Sequence, residues 1–104
     1  MKKLFLDDIR YPKSEEWIIV RSYSDFVKWI EDNGVMDLYI SFDHDLDDVK
    51  DNREYTGYDC AKWLCEYCWE NGLPIPKWNI HSANPVGKSN IEFIMKGFEK
   101  RLNH

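Results

Sequence analysis

The chain has 104 residues, and its 14 basic and 19 acidic side chains give a formal net charge of −5. This length fits one domain over residues 1–104, and the five Trp, six Tyr and five Phe favour a packed core over a disordered segment. The acidic excess disfavours binding to duplex DNA, because neutralising phosphates needs a surplus of Lys and Arg. A small anionic ligand held by a few local cations remains compatible with this charge.

The sequence gives no sign of a membrane span or of a disulfide framework. No apolar run approaches the ~20 residues that a span needs, and the run after Lys3 is too short for a signal-peptide core. The three cysteines, Cys60, Cys65 and Cys68, fall in one predicted helix. The Cys65-x-x-Cys68 pair is interpreted as core packing, because no second pair accompanies it for a zinc site. The expected location is the cytoplasm.

Four short apolar runs have the composition of buried strands. In chain order they are Lys2–Leu6, Trp17–Val20, Asp37–Phe42 and Lys77–Ile80. After the first run, Pro12 and its restriction on the preceding residue favour an irregular loop over a helix. The polar, acidic segment 46–55 is predicted to be a second irregular loop.

Three further segments combine helical periodicity with a start signal. They span Ser22–Asn33, Thr56–Glu70 and Asn84–Leu102. The first two open on a Ser or Thr followed three residues later by Asp, a capping-box pattern, and the third opens on Asn-Pro. Apolar strands that alternate with helices predict an α/β fold with a parallel sheet covered by helices.

Polar residues follow three of the predicted strands at the point where each strand ends. These residues are Asp7 and Asp8, then Asp43, His44 and Asp45, and finally His81 and Ser82. Ligands of open parallel sheets bind outside the carboxyl ends of the strands. We therefore expect these side chains to line one cleft.

The acidic residues of this cleft predict a cation site. Asp7, Asp8 and Asp43 would repel one another unless a cation neutralised them, and hard oxygen ligands suit Mg²⁺, Mn²⁺ or Ca²⁺. The competing interpretation is that Asp7 and Asp8 are helix caps or solvated loop acids. A calcium-binding EF-hand loop that starts at Asp43 is disfavoured, because Asp48 stands where its sharp turn needs glycine.

Two histidines at strand ends are candidates for proton transfer. His44 and His81 can act as general base and general acid, because imidazole titrates near neutrality. Such a pair suits cleavage of a phosphodiester, above all a cyclic phosphate, and Asp43 and Asp45 complete the candidate catalytic set. The competing interpretation is that each histidine bonds a backbone carbonyl group at a strand end.

A candidate anion site lies where the fourth strand leads into the last helix. Free amide groups and the helix dipole favour an anion at a helix N-terminus. Ser82, Asn84 and Lys88 from this segment, with Arg10 from the first loop, are the candidate phosphate-binding residues. The glycine spacing is not that of a P-loop. Aromatic side chains near the cleft that can stack on a base are Trp17 and Tyr58.

Four motifs in order span nearly the whole chain: Leu6-Asp7-Asp8-x-Arg10-x-Pro12, Phe42-Asp43-His44-Asp45-Leu46, Thr56-Gly57-Tyr58-Asp59 and His81-Ser82-x-Asn84-Pro85-x-Gly87. In these motifs the chain resembles the cyclic-phosphate-processing receiver-like family. The resemblance implies a receiver-like, flavodoxin-type three-layer α/β fold whose short parallel sheet has about four strands in the order 2-1-3-4. It also implies hydrolysis or other processing of a cyclic-phosphate nucleotide or an RNA end. The metal expected at the aspartates is Mg²⁺ or Mn²⁺.

Two other functions remain open at this point. One is a binding protein that sequesters a nucleotide signal without cleaving it. The other is a phospho-accepting receiver, in which Asp7 and Asp8 hold Mg²⁺, Asp43 takes the phosphoryl group and Ser82 is the switch hydroxyl. The chain departs from such a receiver, because no fifth strand with its lysine follows the last helix and His44 follows the acceptor position.

Overall fold

The computed structural model describes residues 1–103. In chain order the elements are β1 (Lys2–Leu6), β2 (Ile18–Val20), α1 (Tyr23–Asn33), β3 (Leu38–Phe42), β4 (Asp48–Lys50), β5 (Arg53–Tyr55), α2 (Gly57–Asn71), β6 (Lys77–Ile80) and α3 (Pro85–Leu102). Four strands form a parallel sheet in the order β2-β1-β3-β6, and β4 pairs with β5 in a separate antiparallel hairpin. Because β6 is the fourth predicted strand, the predicted order 2-1-3-4 is confirmed.

The helices begin at the predicted caps. Ser22 Oγ accepts from the Asp25 amide at 3.1 Å, and the Asp59 carboxylate accepts from the Thr56 amide at 2.8 Å. At α3, Asn84 Oδ1 accepts from the Gly87 amide at 3.0 Å. These bonds satisfy amide groups that the first helical turn leaves without a partner. Over residues 1–103, no helix has the length and apolar character that crossing a membrane requires.

The three helices lie side by side on one face of the sheet. α1 packs on α2 and α2 packs on α3, and their core residues form one cluster with alternate strand residues. The fully buried members of this cluster include Leu4, Leu6, Ile40 and Phe42 from the two central strands and Phe26, Leu64 and Ile91 from the helices. The alternation follows from the two-residue period of a strand.

The opposite face of the sheet is covered in part by the segment between β1 and β2 rather than by a helix. Trp17, at the end of the segment that joins β1 to β2, packs against Phe5 at 5.9 Å and Tyr39 at 5.5 Å between ring centroids. The irregular loop predicted after β1 is confirmed. The third layer of this receiver-like fold is therefore loop and aromatic side chains. The site described below opens on this face, since Asp7 and Asp43 share the strand parity of Phe5.

The prediction of an irregular loop over residues 46–55 is wrong, because this segment contains the β4–β5 hairpin. Asp51 and Asn52 form its turn with φ angles of 52° and 63°, the left-handed region that two-residue hairpin turns need. The hairpin is held to α1, where the Asp48 carboxylate accepts from the Tyr23 amide at 2.9 Å. The polar strands and the absence of glycine in the turn hid the hairpin from pattern analysis.

The cysteines are core residues. Cys60, Cys65 and Cys68 are free thiols, and all three are fully buried. Burial raises the pKa of Cys65 to about 12 and that of Cys68 to about 11. The interpretation of the Cys65-x-x-Cys68 pair as core packing is confirmed.

Candidate functional site

Three strand ends bring two carboxylates and an imidazole together. Asp7, Asp43 and His81 each follow the last residue of a strand, and their strands are neighbours in the sheet. Ligand atoms from the three side chains lie within 4.8 Å of one another. Below, these three residues are called the Asp-Asp-His cluster. The expected convergence of strand ends therefore holds for one residue from each of three strands.

Asp7 is the most enclosed member of the cluster. It is 0% exposed, and one carboxylate oxygen accepts from the Ile9 and Arg10 amides at 3.1 and 2.9 Å. Its other oxygen lies 2.9 Å from Arg10 Nε and 3.0 Å from His81 Nε2. Burial by itself would raise the pKa of Asp7, but these hydrogen bonds and the Arg10 charge lower it below its usual value. These contacts favour the ionised form of Asp7.

Arg10 connects the two carboxylates of the cluster. Its guanidinium bonds Asp7 through Nε and reaches Asp43 Oδ1 with Nη2 at 3.3 Å. Asp43 is 4% exposed, and burial followed by the charge of Asp7 keeps its pKa above the usual value, although the His44 amide and Arg10 lower it in part. A half-exposed arginine thus supplies countercharge to two buried acids.

His81 is held by contacts at both ring nitrogens and on one ring face. Nε2 faces Asp7, Nδ1 lies 2.7 Å from Ser41 Oγ, and the ring stacks on Phe5 with centroids 4.3 Å apart. Sequence analysis missed Ser41 and Phe5. A signal for Ser41 exists, because it is a polar residue inside an apolar strand, two positions before Asp43 and on the same face.

His44 is held differently from His81. Its Nδ1 lies 2.9 Å from Asp45 Oδ1, and this hydrogen bond is the main reason why the pKa of Asp45 is lowered. Among residues 1–103, no hydrogen bond reaches Nε2 of His44, and the side chain is 15% exposed. The ring lies against Gly87 in the first turn of α3, where an added Cβ would come 2.6 Å from His44 Nδ1.

The close approach of α2 to the site also depends on a glycine. The Gly57 amide donates to the His44 carbonyl oxygen at 2.7 Å, and a Cβ on Gly57 would overlap the Asp43 carbonyl oxygen. In the sequence, Gly57 and Gly87 are motif positions for which no structural role is predicted. Both glycines let a helix N-terminus pack directly on the strand end that carries Asp43 and His44.

The candidate phosphate-binding residues of the α3 segment differ in their contacts. Ser82 Oγ accepts from the Asn84 amide at 3.0 Å, and Asn84 Nδ2 lies 3.4 Å from both oxygens of Asp45. Lys88 is exposed, and its side chain makes no ion pair or hydrogen bond with the rest of residues 1–103. Ser82 and Asn84 therefore shape the rim around His44, and Lys88 stands further out.

Asp8 is not a member of the Asp-Asp-His cluster. It is partly exposed, and the third residue of the cluster is His81. Asp7 has both carboxylate oxygens bonded within the protein, whereas Asp8 lies in the bend that follows β1.

Arg21 is a further residue that sequence analysis missed. Its Nη1 donates to the carbonyl oxygens of Asp7 at 3.1 Å and Arg10 at 2.7 Å. Its guanidinium also lies over the ring of Tyr11, 4.7 Å from the centroid. Arg21 thereby fixes the loop that presents Arg10 to the cluster.

A comparison with protein-family models found a match that covers the candidate site. A family model described as the cyclic-phosphate processing receiver domain matches residues 2–97. Searches of curated proteins and of solved structures each returned no significant match. The matched residues include the four strands of the parallel sheet, the Asp-Asp-His cluster, Arg10 and His44. The chain therefore belongs to the cyclic-phosphate processing receiver domain family.

Proposed function

We propose that this protein hydrolyses a cyclic-phosphate ester, carried by a nucleotide or an RNA end, at the carboxyl ends of β1, β3 and β6. The observation that carries the proposal is the Asp-Asp-His cluster with Arg10 across its two carboxylates. Family membership supports cyclic-phosphate processing as the class of reaction. Hydrolysis is the specific step proposed.

His44 is the proposed general base. Its Nδ1 is bonded to Asp45, which fixes the ring and leaves Nε2 to accept a proton. In the reaction, water attacks phosphorus and gives its proton to His44 Nε2. The bond from phosphorus to one ester oxygen breaks, and that oxygen takes up a proton.

His81 is the proposed source of the proton for the leaving oxygen when no metal is bound. As the acid it is the imidazolium, whose Nε2–H lies toward Asp7 and whose Nδ1–H donates to Ser41 Oγ, so that loss of the Nε2 proton leaves a neutral ring. The same Nε2 is the atom that His81 offers to a metal ion, so the two roles exclude each other. Metal dependence of turnover therefore distinguishes them.

The cluster fits a divalent cation. Two carboxylate oxygens and one imidazole nitrogen suit Mn²⁺. Mg²⁺ is also compatible, although it would use fewer of these protein ligands. The contact between Ser41 and Nδ1 would orient the His81 ring toward the ion. Asp7, Asp43 and His81 would hold the ion, with Asp8 in addition only if its side chain turned inward. A bound ion would neutralise charge that develops on the phosphate oxygens. Arg10, which is half exposed, would then move from the carboxylates to the phosphate.

Arg10 and the residues at the N-terminal end of α3 are the proposed binding partners of the phosphate oxygens. Arg10 is a bidentate donor, and Ser82, Asn84 and Lys88 lie on the segment that ends in a helix N-terminus. Lys88 contributes charge from a distance, since its side chain is exposed.

The direct test is incubation with a panel of 2′,3′-cyclic and 3′,5′-cyclic nucleotides, with Mg²⁺, with Mn²⁺ or with EDTA. We expect turnover of at least one substrate, and a loss of about 100-fold or more in His44→Ala, in line with the typical contribution of a general base. Lys96→Ala, which changes an exposed residue of α3, is the control. Failure to convert any substrate would rule out the proposal, and full activity of His44→Ala would rule out the proton-transfer role.

Sequestration without cleavage is the second candidate, and one observation favours it. His81 and Asp7 are engaged by protein groups at both ring nitrogens and both oxygens. A site of this kind can hold a ligand without reacting. Tight binding with complete recovery of the intact cyclic nucleotide would establish this function in place of hydrolysis.

The phospho-accepting receiver is not favoured by the site. Asp43 is 4% exposed and paired with Arg10, and Ser82 accepts a hydrogen bond from its own loop. Mass spectrometry after treatment with acetyl phosphate tests this alternative, since it requires one phosphoryl group on Asp43.

A further inference from the structure

One exposed aromatic ring lies next to the site. Within residues 1–103 the exposed aromatic side chains are Tyr11, Trp69 and Phe93. Tyr11 is 76% exposed and follows Arg10 directly in the loop after β1. The other two belong to α2 and α3.

The two residues expected from the sequence to stack on a base are occupied otherwise. Trp17 packs on Phe5 and Tyr39, and Lys3 lies over its ring at 5.5 Å. Tyr58 is partly buried and packs against the helix-side core. Both rings are therefore engaged by other side chains of the fold.

Tyr11 is held in place from one side only. The Arg21 guanidinium covers one face of its ring, and the same guanidinium bonds the carbonyl oxygens of Asp7 and Arg10. The ring is thus tied through Arg21 to the backbone of two site residues. Most of the side chain is nevertheless accessible, since Tyr11 is 76% exposed.

We propose that the outer face of Tyr11 stacks on the nucleobase of a nucleoside cyclic phosphate whose phosphate group is bound by Arg10. This inference rests on the proposed function, because it uses the same site. The Arg21 guanidinium lies 4.7 Å from the ring centroid of Tyr11, and its Nη1 lies 3.1 and 2.7 Å from the carbonyl oxygens of Asp7 and Arg10, so the ring lies close to the backbone that presents Arg10. A ring fixed before binding loses little conformational entropy when the base arrives.

The proposal predicts a particular selectivity. Every nucleobase presents a π-face, so stacking depends little on which base is present. A ligand without a base loses the stacking contribution to its affinity. The protein should therefore prefer cyclic nucleotides to base-free cyclic phosphates and discriminate weakly among the bases. The competing explanation is that Tyr11 only buttresses Arg21.

The experiment uses two probes and two variants. The probes are 2-aminopurine riboside 2′,3′-cyclic phosphate, whose fluorescence falls on stacking, and glycerol 1,2-cyclic phosphate, which has no base. We expect Tyr11→Ala to weaken binding and turnover of the nucleotide by about 5- to 100-fold, the range of base–aromatic stacking. Tyr11→Phe keeps the ring, so its binding and turnover of the nucleotide should stay within about twofold of the wild type. Turnover of the glycerol probe should be unchanged in both variants.

Two results would overturn the stacking role. An equal loss for both probes in Tyr11→Ala means that the residue acts through Arg21 and the loop, and an unchanged nucleotide affinity means that the base does not contact the ring. The melting temperature of each variant shows whether its fold is intact. A trinucleotide RNA with the same cyclic-phosphate end reports whether the base belongs to a free nucleotide or to RNA.

The outcomes also separate this inference from the proposed hydrolysis. Quenching that depends on Tyr11, without any cleavage, supports stacking and rejects hydrolysis. Equal turnover of the two probes by the wild type supports hydrolysis and rejects stacking. Absence of both binding and turnover rejects the two together.

Discussion

At the scale of single residues, the dominant feature is one arginine between two buried acids. Arg10 is paired with both Asp7 and Asp43, and its positive charge offsets the repulsion between their carboxylates. Ion pairs of exposed residues contribute little, but a pair whose acid is buried leaves an uncompensated charge when the base is removed. The cost must be smaller than for a fully buried pair, because Arg10 is half exposed.

Arg10→Gln tests this arrangement. We expect a loss of about 1–2 kcal/mol in the free energy of unfolding, measured by urea denaturation, and tighter binding of Mn²⁺, measured by calorimetry. Asp43→Asn in the Arg10→Gln background should recover part of the stability, since it removes the unpaired charge. Lys28→Gln breaks an exposed pair with Asp32 and should change stability by less than about 1 kcal/mol. Equal effects of the two substitutions would contradict the role of Arg10.

Gly87 sets the position of His44. An alanine Cβ there would lie 2.6 Å from His44 Nδ1, so Gly87→Ala must displace the imidazole or the first turn of α3. We expect a loss of about 1–3 kcal/mol in stability and of more than about tenfold in turnover of the best cyclic nucleotide.

Gly97→Ala is the matched control in the same helix. Nothing lies within 4 Å of the Cβ it would add, so alanine should stabilise α3 by up to about 1 kcal/mol and leave turnover unchanged. Full activity in Gly87→Ala would show that the contact with His44 is not needed.

At the scale of elements, the β4–β5 hairpin supports the start of α1. It contributes the Asp48 carboxylate to the Tyr23 amide, and Tyr55 packs on Tyr23 with ring centroids 4.8 Å apart. Its turn depends on Asn52, whose φ of 63° is tolerated by Asn and Gly but not by β-branched residues.

Asn52→Val and Asn52→Gly form a pair that tests the hairpin. Valine at this φ should cost about 1–3 kcal/mol and lower the melting temperature, whereas glycine should be neutral or stabilising. Amide hydrogen exchange should report faster opening of β4, β5 and the first turn of α1 in the valine variant alone. Identical melting curves for the two variants would mean that the turn does not require a positive φ.

At the scale of the whole molecule, the buried thiols report on the integrity of the core. Folding raises the pKa of Cys65 from 9.0 to about 12 and that of Cys68 from 9.0 to about 11. The folded state therefore favours the neutral thiols. Their contribution to stability is complete below pH 9 and is lost as pH rises from about 9 through the folded pKa values.

Two measurements check this behaviour. At pH 8, a thiol reagent should label the native protein slowly and the urea-unfolded protein at once, because only the thiolate of an exposed cysteine reacts. A Cys65→Ala, Cys68→Ala double variant should lose less stability between pH 9 and pH 11 than the wild type. Rapid labelling of the native protein would contradict the core assignment.

Much of this fold follows from local signals. The strands of the parallel sheet and the three helices could be predicted from local signals. Apolar runs, capping residues and Asn-Gly or Asn-Pro boundaries each determine the structure of only a few neighbouring residues. The β4–β5 hairpin could not, since Asp48–Lys50 and Arg53–Tyr55 bury little and their pairing depends on contacts with α1.

The sequence by itself determined that acidic residues and histidines end three strands of one parallel sheet. The reason is that apolar runs mark the strands, and their alternation with helices indicates parallel topology. Only the tertiary structure decided which of them meet. His81 lies 74 positions from Asp7 yet 3.0 Å from its carboxylate, whereas Asp8, the next residue in the chain, is not part of the cluster. Register across β1, β3 and β6 brings Asp7, Asp43 and His81 together, and such register is a property of packed strands rather than of any local motif.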